Sequence, residues 1–255
     1  VFVSVSNLEL KRYLDGTLRA HEISDYCPNG LQVEGKPEIQ RVVTGVTASQ
    51  ALIDAAIAEN ADAIVVHHGY FWKGESQAIT GMKKKRIQAL LEHDINLYAY
   101  HLPLDVHPEF GNNRQLATLL NIDNVRALSG VKPTGVVMQG EFESPMSQHD
   151  LQQLLADKLG RAVLAEGDDN KAIKTVAWCT GGGQGFIEQA VAAGVDAFIT
   201  GEVSEQTIHT AREMGISFFA AGHHATERYG VKALGEHIQI EFNLDVSFID
   251  IPNPA

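Results

Sequence analysis

The stretch "QRVVTGVTASQALIDAAIAENADAIVVHHG" (40–69) can be laid without a gap on "KTVAWCTGGGQGFIEQAVAAGVDAFITGEV" (174–203). In the first copy, Arg41–Val46 is short and β-branched and predicts a strand. Ser49 then opens a run with helical spacing, and Ala63–His67 predicts a second strand. Val42 falls on Val176, Gln50 on Gln184, Ala56 on Ala190, Asp62 on Asp196 and Ala63 on Ala197. Any two strand-helix-strand units share apolar periodicity, but polar matches such as Asp62/Asp196 exceed what periodicity alone aligns. We therefore read an internal duplication.

After the first copy, "KKKRIQALLEHD" predicts a helix and "INLYAY" a strand. The β-α-β-α-β order implies parallel strands covered by helices. "EHDINLYAYHLPLD" also resembles "EMGISFFAAGHHATE" to within a residue, and the first copy carries the additional "GYFWKGESQAITG". The expected fold is α/β: two related α/β units with mostly parallel sheets and a metal site in the cleft between them. The expected division is 1–127 for the first unit, 128–170 for an inserted or linking α+β segment, and 171–255 for the second. Residues 128–170 hold a strand-like "GVVMQGEF" (135–142) and a helix capped by Ser147 and stopped by Gly160. Ser6 and Glu9 have capping-box spacing ahead of a stripe at Leu10, Tyr13, Leu14 and Leu18.

Bulk properties narrow the function. No apolar run approaches the roughly 18–20 residues needed to span a bilayer. Val1 to Ser6 lack the basic and long apolar regions of a secretory leader, so a cytoplasmic location is expected. Cys27 and Cys179 lie far apart and read as free thiols. A net charge of −12 disfavours non-specific nucleic-acid binding. It is compatible with a small phosphorylated substrate held at a local cationic centre.

The chemistry concentrates in histidines. Of eleven, six fall in three groups, each after a predicted strand: His67 and His68; His101 and His107; His223 and His224. Carboxyl ends of parallel strands are where open α/β sheets bind ligands. Asp105 follows His101 by four residues and Glu227 follows His223 by four, a spacing that puts both side chains on one face of a helical turn. Imidazole and carboxylate without thiolate suit Zn, Fe, Mn or Ni. Five or six such ligands are too many for one catalytic zinc and suit two ions. Adjacent strand residues point to opposite faces, so the His67–His68 pair fits a strand that ends at His67. Glu202 falls on His68 in the repeat alignment, as a general base, a residue that orients a ligand, or an N-cap of the following helix. "CTGGGQG" (179–185) reads either as a phosphate cradle or as a tight turn. His107 reads as a surface or outer-sphere residue; His21, His93, His149, His209 and His237 read as solvated.

"PNGLQVEG", "VVHHGYFW", "HLPLDVHPEFGNN", "TGGGQGFI", "DAFITGEVSEQ" and "GHHATE" together resemble the bacterial GTP cyclohydrolase 1 type 2 homologue family, also called Nif-three-like. "GVTASQ" and "FIDIPNPA" bring its enterobacterial branch nearest. The resemblance implies two α/β domains, a dinuclear metal site and a toroidal homohexamer. It maps the metal ligands onto His67, His68, Asp105, His223 and Glu227, and places His101 close to the metals.

Three functions follow as expectations. The first is a dinuclear metal hydrolase acting on a nucleotide-like molecule, by ring opening or by clearing modified nucleotides, with Glu202 or His101 moving protons. The second is a non-catalytic metal carrier, sensor or scaffold, with Tyr70, Phe71 and Trp72 lining a subunit contact or a base-stacking pocket. The third is a two-metal phosphoesterase with Lys73 or the "KKKR" run (83–86) as clamp.

Overall fold

The computed structural model describes residues 3–255. The reading of residues 1–6 falls in part, at Val1 and Phe2, outside them. The chain divides into two compact units, Val1–Leu104 with Gly230–Ile251, and Asp105–Tyr229 with Pro252–Ala255. The expected boundaries at 127/128 and 170/171 are not where it divides. Strand pairing explains why: the chain's last strand joins the first unit's sheet, and the 128–170 segment is built into the second unit's sheet.

In the first unit the strands are β1 (Val5–Ser6), β2 (Gly30–Val33), β3 (Glu38–Ile39), β4 (Arg41–Thr47), β5 (Ala63–His68), β6 (Asn96–Ala99) and β13 (Asp245–Phe248). The main sheet runs β13-β4-β5-β6-β2, parallel except for β2. Helices α1 (Asn7–Thr17), α2 (Gln50–Ala58) and α3 (Gly81–Glu92) belong to this unit. Ser6 Oγ accepts the Glu9 N–H and Ser49 Oγ the Leu52 N–H, so both helices start at their predicted caps. Leu52, Ile53 and Ala56 of α2 and Ile87 and Leu90 of α3 pack against Val43, Ile64, Val66 and Leu97 of the sheet.

In the second unit the strands are β7 (Asp123–Ala127), β8 (Met138–Met146), β9 (Leu164–Glu166), β10 (Ile173–Cys179), β11 (Ala197–Thr200) and β12 (Ser217–Ala220). The order is β7-β8-β10-β11-β12-β9. Only β10-β11 and β11-β12 are parallel; β7-β8, β8-β10 and β9-β12 are antiparallel. The expectation of mostly parallel sheets therefore holds for the first unit and fails for the second, where residues 123–166 add antiparallel strands on both sides of a parallel centre. Helix α4 (Leu102–Val106) carries the chain across the division. Helices α5 (Asn112–Leu119), α6 (Gln148–Leu159), α7 (Ile187–Ala192) and α8 (Glu205–Met214) follow, and α9 (His223–Phe242) crosses back. Ser147 and Gly160 bound α6 as predicted. Trp178, Phe219, Leu151 and Leu155 form part of this unit's core.

The repeat is visible in the registers. Val42 pairs with Ala63 as Val176 pairs with Ala197, both as the gapless alignment requires. Asp62 Oδ2 accepts the N–H groups of Gln40 and Arg41 at 2.8 and 2.9 Å. Asp196 Oδ2 accepts those of Lys174 and Thr175 at 3.0 and 2.8 Å. The matched aspartates thus tie down the same two backbone positions at the start of the matched strand. Further on the register moves by one residue. Ala63 pairs with Asn96 and Ala197 with Ser217, so His101 corresponds to Gly222 and Asp105 to Thr226, each one short of His223 and Glu227.

Candidate metal centre

The first unit supplies three imidazoles from the carboxyl ends of β5 and β6. One ring nitrogen from each of His67, His68 and His101 lies within 4.8 Å of the other two. Strand β5 runs through His68, which pairs with Thr47, so the strand does not end at His67 as expected. The two rings nevertheless lie 4.5 Å apart between centroids, and His101 lies 5.1 Å from His67.

What prepares these rings is the partner on Nδ1. His67 Nδ1 is 3.0 Å from the Tyr100 carbonyl oxygen. A carbonyl only accepts, so Nδ1 carries the proton and Nε2 the lone pair. His68 Nδ1 lies 3.0 Å from Thr47 Oγ1 on the neighbouring strand. His101 Nδ1 lies 2.7 Å from Asp25 Oδ1. An acceptor on Nδ1 is the arrangement that fixes the tautomer of metal-binding histidine. Trp72 closes against this set, 4.9 Å from His101 and edge-on.

Sequence reasoning missed Asp25. It lies 76 residues from His101 in a loop without periodicity, so no spacing rule connects them. Its Oδ2 accepts from Asn29 Nδ2 and from the Leu102 N–H, each at 2.9 Å, and Asn29 Oδ1 accepts the His101 N–H at 2.7 Å. Burial opposes the Asp25 charge, but His101, Asn29 and the Tyr26 N–H outweigh it and hold the carboxyl below its ordinary range. Cys27 also lies within reach of Asp25 and His101, but burial and the Asp25 charge push its thiol up to about 12. With no metal ion beside it, the thiol is protonated at neutral pH.

The second unit, taken by itself, brings carboxylates and one imidazole together. His223 and Glu227 sit one turn apart at the start of α9, with Nε2 3.1 Å from Oε2. Glu202, just beyond β11, reaches His223 Nδ1 at 2.6 Å. Burial pulls the His223 pKa down, but Glu227 and Glu202 together override it and raise it to about 9. Hydrogen bonding to His223 in turn holds the Glu202 carboxyl below its ordinary range. Asp105 is buried at 6% exposure, and its Oδ1 accepts from Asn112 Nδ2 at 2.9 Å and from Thr180 Oγ1 at 3.4 Å. Burial raises the Cys179 pKa, and the charges of Asp105 and Glu227 raise it further.

Two open readings resolve here. The N-cap of α8 is Ser204, which forms a capping box with Thr207, so Glu202 is not that cap. The glycine loop is a close-packed turn: the Gly181 and Gly183 N–H groups already donate to Thr226 Oγ1 and Thr200 Oγ1, each at 3.0 Å. Gly181 has φ +67°, and a Cβ there would fall 2.0 Å from Glu227 Oε1. The loop presses its backbone onto Glu227, which only glycine permits. His107, His224 and Glu202 belong to none of the three-donor groups found among the described residues.

Residues 6–254 match the Duf34/NIF3 (NGG1p interacting factor 3) family. The chain belongs to the Duf34/NIF3 family. Within this family it is similar to a GTP cyclohydrolase 1 type 2 homolog of Yersinia pestis, 60% identical over 98% of this chain and 99% of the relative. The homolog of the same name from Escherichia coli K12 is 56% identical over 98% and 100%. The solved structure of protein ybgI, described as of unknown function, superposes with a TM-score of 0.94 at 56% identity, covering 98% of this chain and 100% of that one. This chain and that structure thus share one fold over nearly the whole length of both. Among the described residues no helix is long and apolar enough to cross a membrane.

The donor set fits a divalent metal. Within each unit, imidazoles with Nδ1 already engaged and buried carboxylates are side chains that could hold a divalent metal ion.

Proposed function

We propose that His67 and His68 from the first unit and Asp105, His223 and Glu227 from the second hold two divalent ions, with His101 beside them, and that the protein is a metal-dependent hydrolase of a nucleotide-like small molecule. The observation that carries this reading is the engagement of Nδ1 on His67, His101 and His223 by a carbonyl or carboxylate oxygen. Surface histidines have no need of such an arrangement; ligands do. The names of the relatives, GTP cyclohydrolase 1 type 2 homolog, point to a purine nucleotide. Bound divalent ions would supply Lewis acidity and lower the pKa of water toward neutrality.

Each residue then has a part. Glu202 holds the His223 ring and is positioned to take its Nδ1 proton. Asp25 does the same for His101. Trp72, packed on His68 and His101, excludes water and offers an aromatic face to a base. For cleavage of a phosphoester the clamp would have to come from Lys73 or from Lys84, Lys85 and Arg86, because Lys83 of the "KKKR" run is engaged with Glu75, the Ser76 carbonyl and the Phe71 ring.

The test is a panel of nucleotides and phosphoesters incubated with metal-loaded and chelator-stripped protein and read by product mass. Gain of water without loss of phosphate is expected, only in the metal-loaded sample. Equal turnover by stripped protein would sink the reading. Retention of metal with no turnover of any compound, together with its rapid transfer to an acceptor protein, would favour a carrier.

A further inference from the structure

The alignment of 40–69 on 174–203 puts Thr47 on Gly181, Gln50 on Gln184 and His68 on Glu202. In the first unit the side chain at the end of the strand is held directly from the neighbouring strand: Thr47 Oγ1 lies 3.0 Å from His68 Nδ1. The second unit cannot copy this. Gly181 has no side chain to offer, and Glu227 approaches its backbone too closely to admit one. Glu202 therefore needs another hold, and at 44% side-chain exposure it does not get one from burial.

Gln184 provides that hold. Its counterpart in the first unit, Gln50, turns its amide along its own helix, with Nε2 donating to Asp54 Oδ1 at 2.8 Å. Gln184 instead reaches 18 residues along the chain. Its Nε2 donates to Glu202 Oε2 at 3.3 Å and to Ser204 Oγ, at the N-cap of α8, at 3.2 Å. A carboxylate only accepts, so the amide faces Glu202 with its N–H groups. The other end of the amide is turned inward, where Oε1 is buried and has no hydrogen-bond partner among the described residues. The orientation is thus set by what Nε2 holds and not by what Oε1 needs. Glu202 in turn divides its two oxygens, Oε1 on His223 Nδ1 at 2.6 Å and Oε2 on Gln184. The carboxylate cannot swing off the His223 ring into solvent without giving up Gln184 as well.

We infer that Gln184 is a positioning residue: it holds the second oxygen of Glu202, which keeps the first on His223 Nδ1 and so presents His223 Nε2, beside Glu227, to a divalent ion. The inference rests on the reading of His223 as a metal ligand. Gln184 is not itself a donor to the ion and acts through Glu202. This gives the glutamine of "CTGGGQG" a task that a tight turn alone does not require.

The test is a double-mutant cycle on the full chain, read as Zn²⁺ affinity by competition with a chromogenic chelator. Gln184→Leu keeps most of the side chain's bulk and removes the donor, and it is expected to weaken Zn²⁺ binding about fivefold or more. Gln184→Glu keeps the size and sets a like charge against Glu202, and it should weaken binding at least as far; it also serves if Gln184→Leu fails to fold. In a Glu202→Ala background, either substitution should leave the remaining affinity within about twofold of that background. An effect of equal size in both backgrounds would make Gln184 a structural residue and overturn the inference. So would Gln184 variants that bind Zn²⁺ as the wild type does. A wild type that binds no Zn²⁺ at all would sink the reading of His223 as a ligand, and the inference with it.

Discussion

The ends of β5 and β11 are the instructive pair. The two strands begin alike: Asp62 and Asp196 each receive two N–H groups from matched positions, and each strand takes its neighbour in the same register. They finish differently. Strand β5 ends in His67 and His68, whose rings are oriented by Tyr100 and Thr47. Strand β11 ends at Thr200, followed by Gly201 and Glu202, and Glu202 orients a histidine from α9. One frame has thus been kept at the edge where strands start and altered at the edge where they stop. The framing residues hold backbone in place, while the altered ends carry two of the proposed metal ligands, His67 and His68, and the Glu202 that holds His223.

The largest effect is expected from the altered edge. Glu227→Ala removes a buried carboxylate from the second unit, and we expect metal affinity to fall by about a thousandfold or more, read by competition with a chromogenic chelator. His67→Ala in the first unit should do the same. If either variant binds metal as the wild type does, the two halves do not act together.

The framing edge comes next. Asp62→Ala and Asp196→Ala each remove an acceptor of two backbone N–H bonds, and each should cost about 2–3 kcal/mol in denaturant unfolding. Near-equal values support a shared frame; a large inequality breaks the comparison. For both groups burial opposes the charge, but the hydrogen bonds win and hold the pKa below the ordinary value. Their contribution is therefore present above the unfolded pKa of about 4 and is lost as pH falls through the folded value.

A smaller effect separates the residues that hold the rings. Asp25→Asn and Glu202→Gln keep the size of the side chain and remove its charge, and each should weaken metal binding by about 10–100-fold while the protein stays folded. An unchanged affinity in Asp25→Asn would reduce Asp25 to a loop anchor.

The smallest is a pH trend in metal-stripped protein. Because the folded His223 pKa is raised to about 9, its charged form adds stability below its unfolded value of about 6.5. That stability is lost as pH rises through about 9. The melting temperature should fall across this window, and His223→Gln should flatten the fall. A wild-type profile identical to that of the variant would contradict the assigned contacts.

Much of this was legible in the sequence, and the exceptions have physical causes. The gapless match of 40–69 with 174–203 foretold the parallel strands because register follows from residue count when no bulge intervenes. The unit boundaries were not legible, since nothing in "DVSF" (245–248) reveals that it pairs with β4 rather than with its sequence neighbours. The antiparallel strands of the second sheet were hidden for the same reason. Histidine and carboxylate clusters stood out because their spacing is local. Asp25 did not, because its connection to His101 is made only by folding.

Metal stoichiometry, measured by elemental analysis after loading and desalting, tests the central claim most directly. Two divalent ions per chain are expected in the wild type, with a clear shortfall in both His67→Ala and Glu227→Ala. A wild-type chain that retains no metal, or variants that each retain two ions, would contradict it.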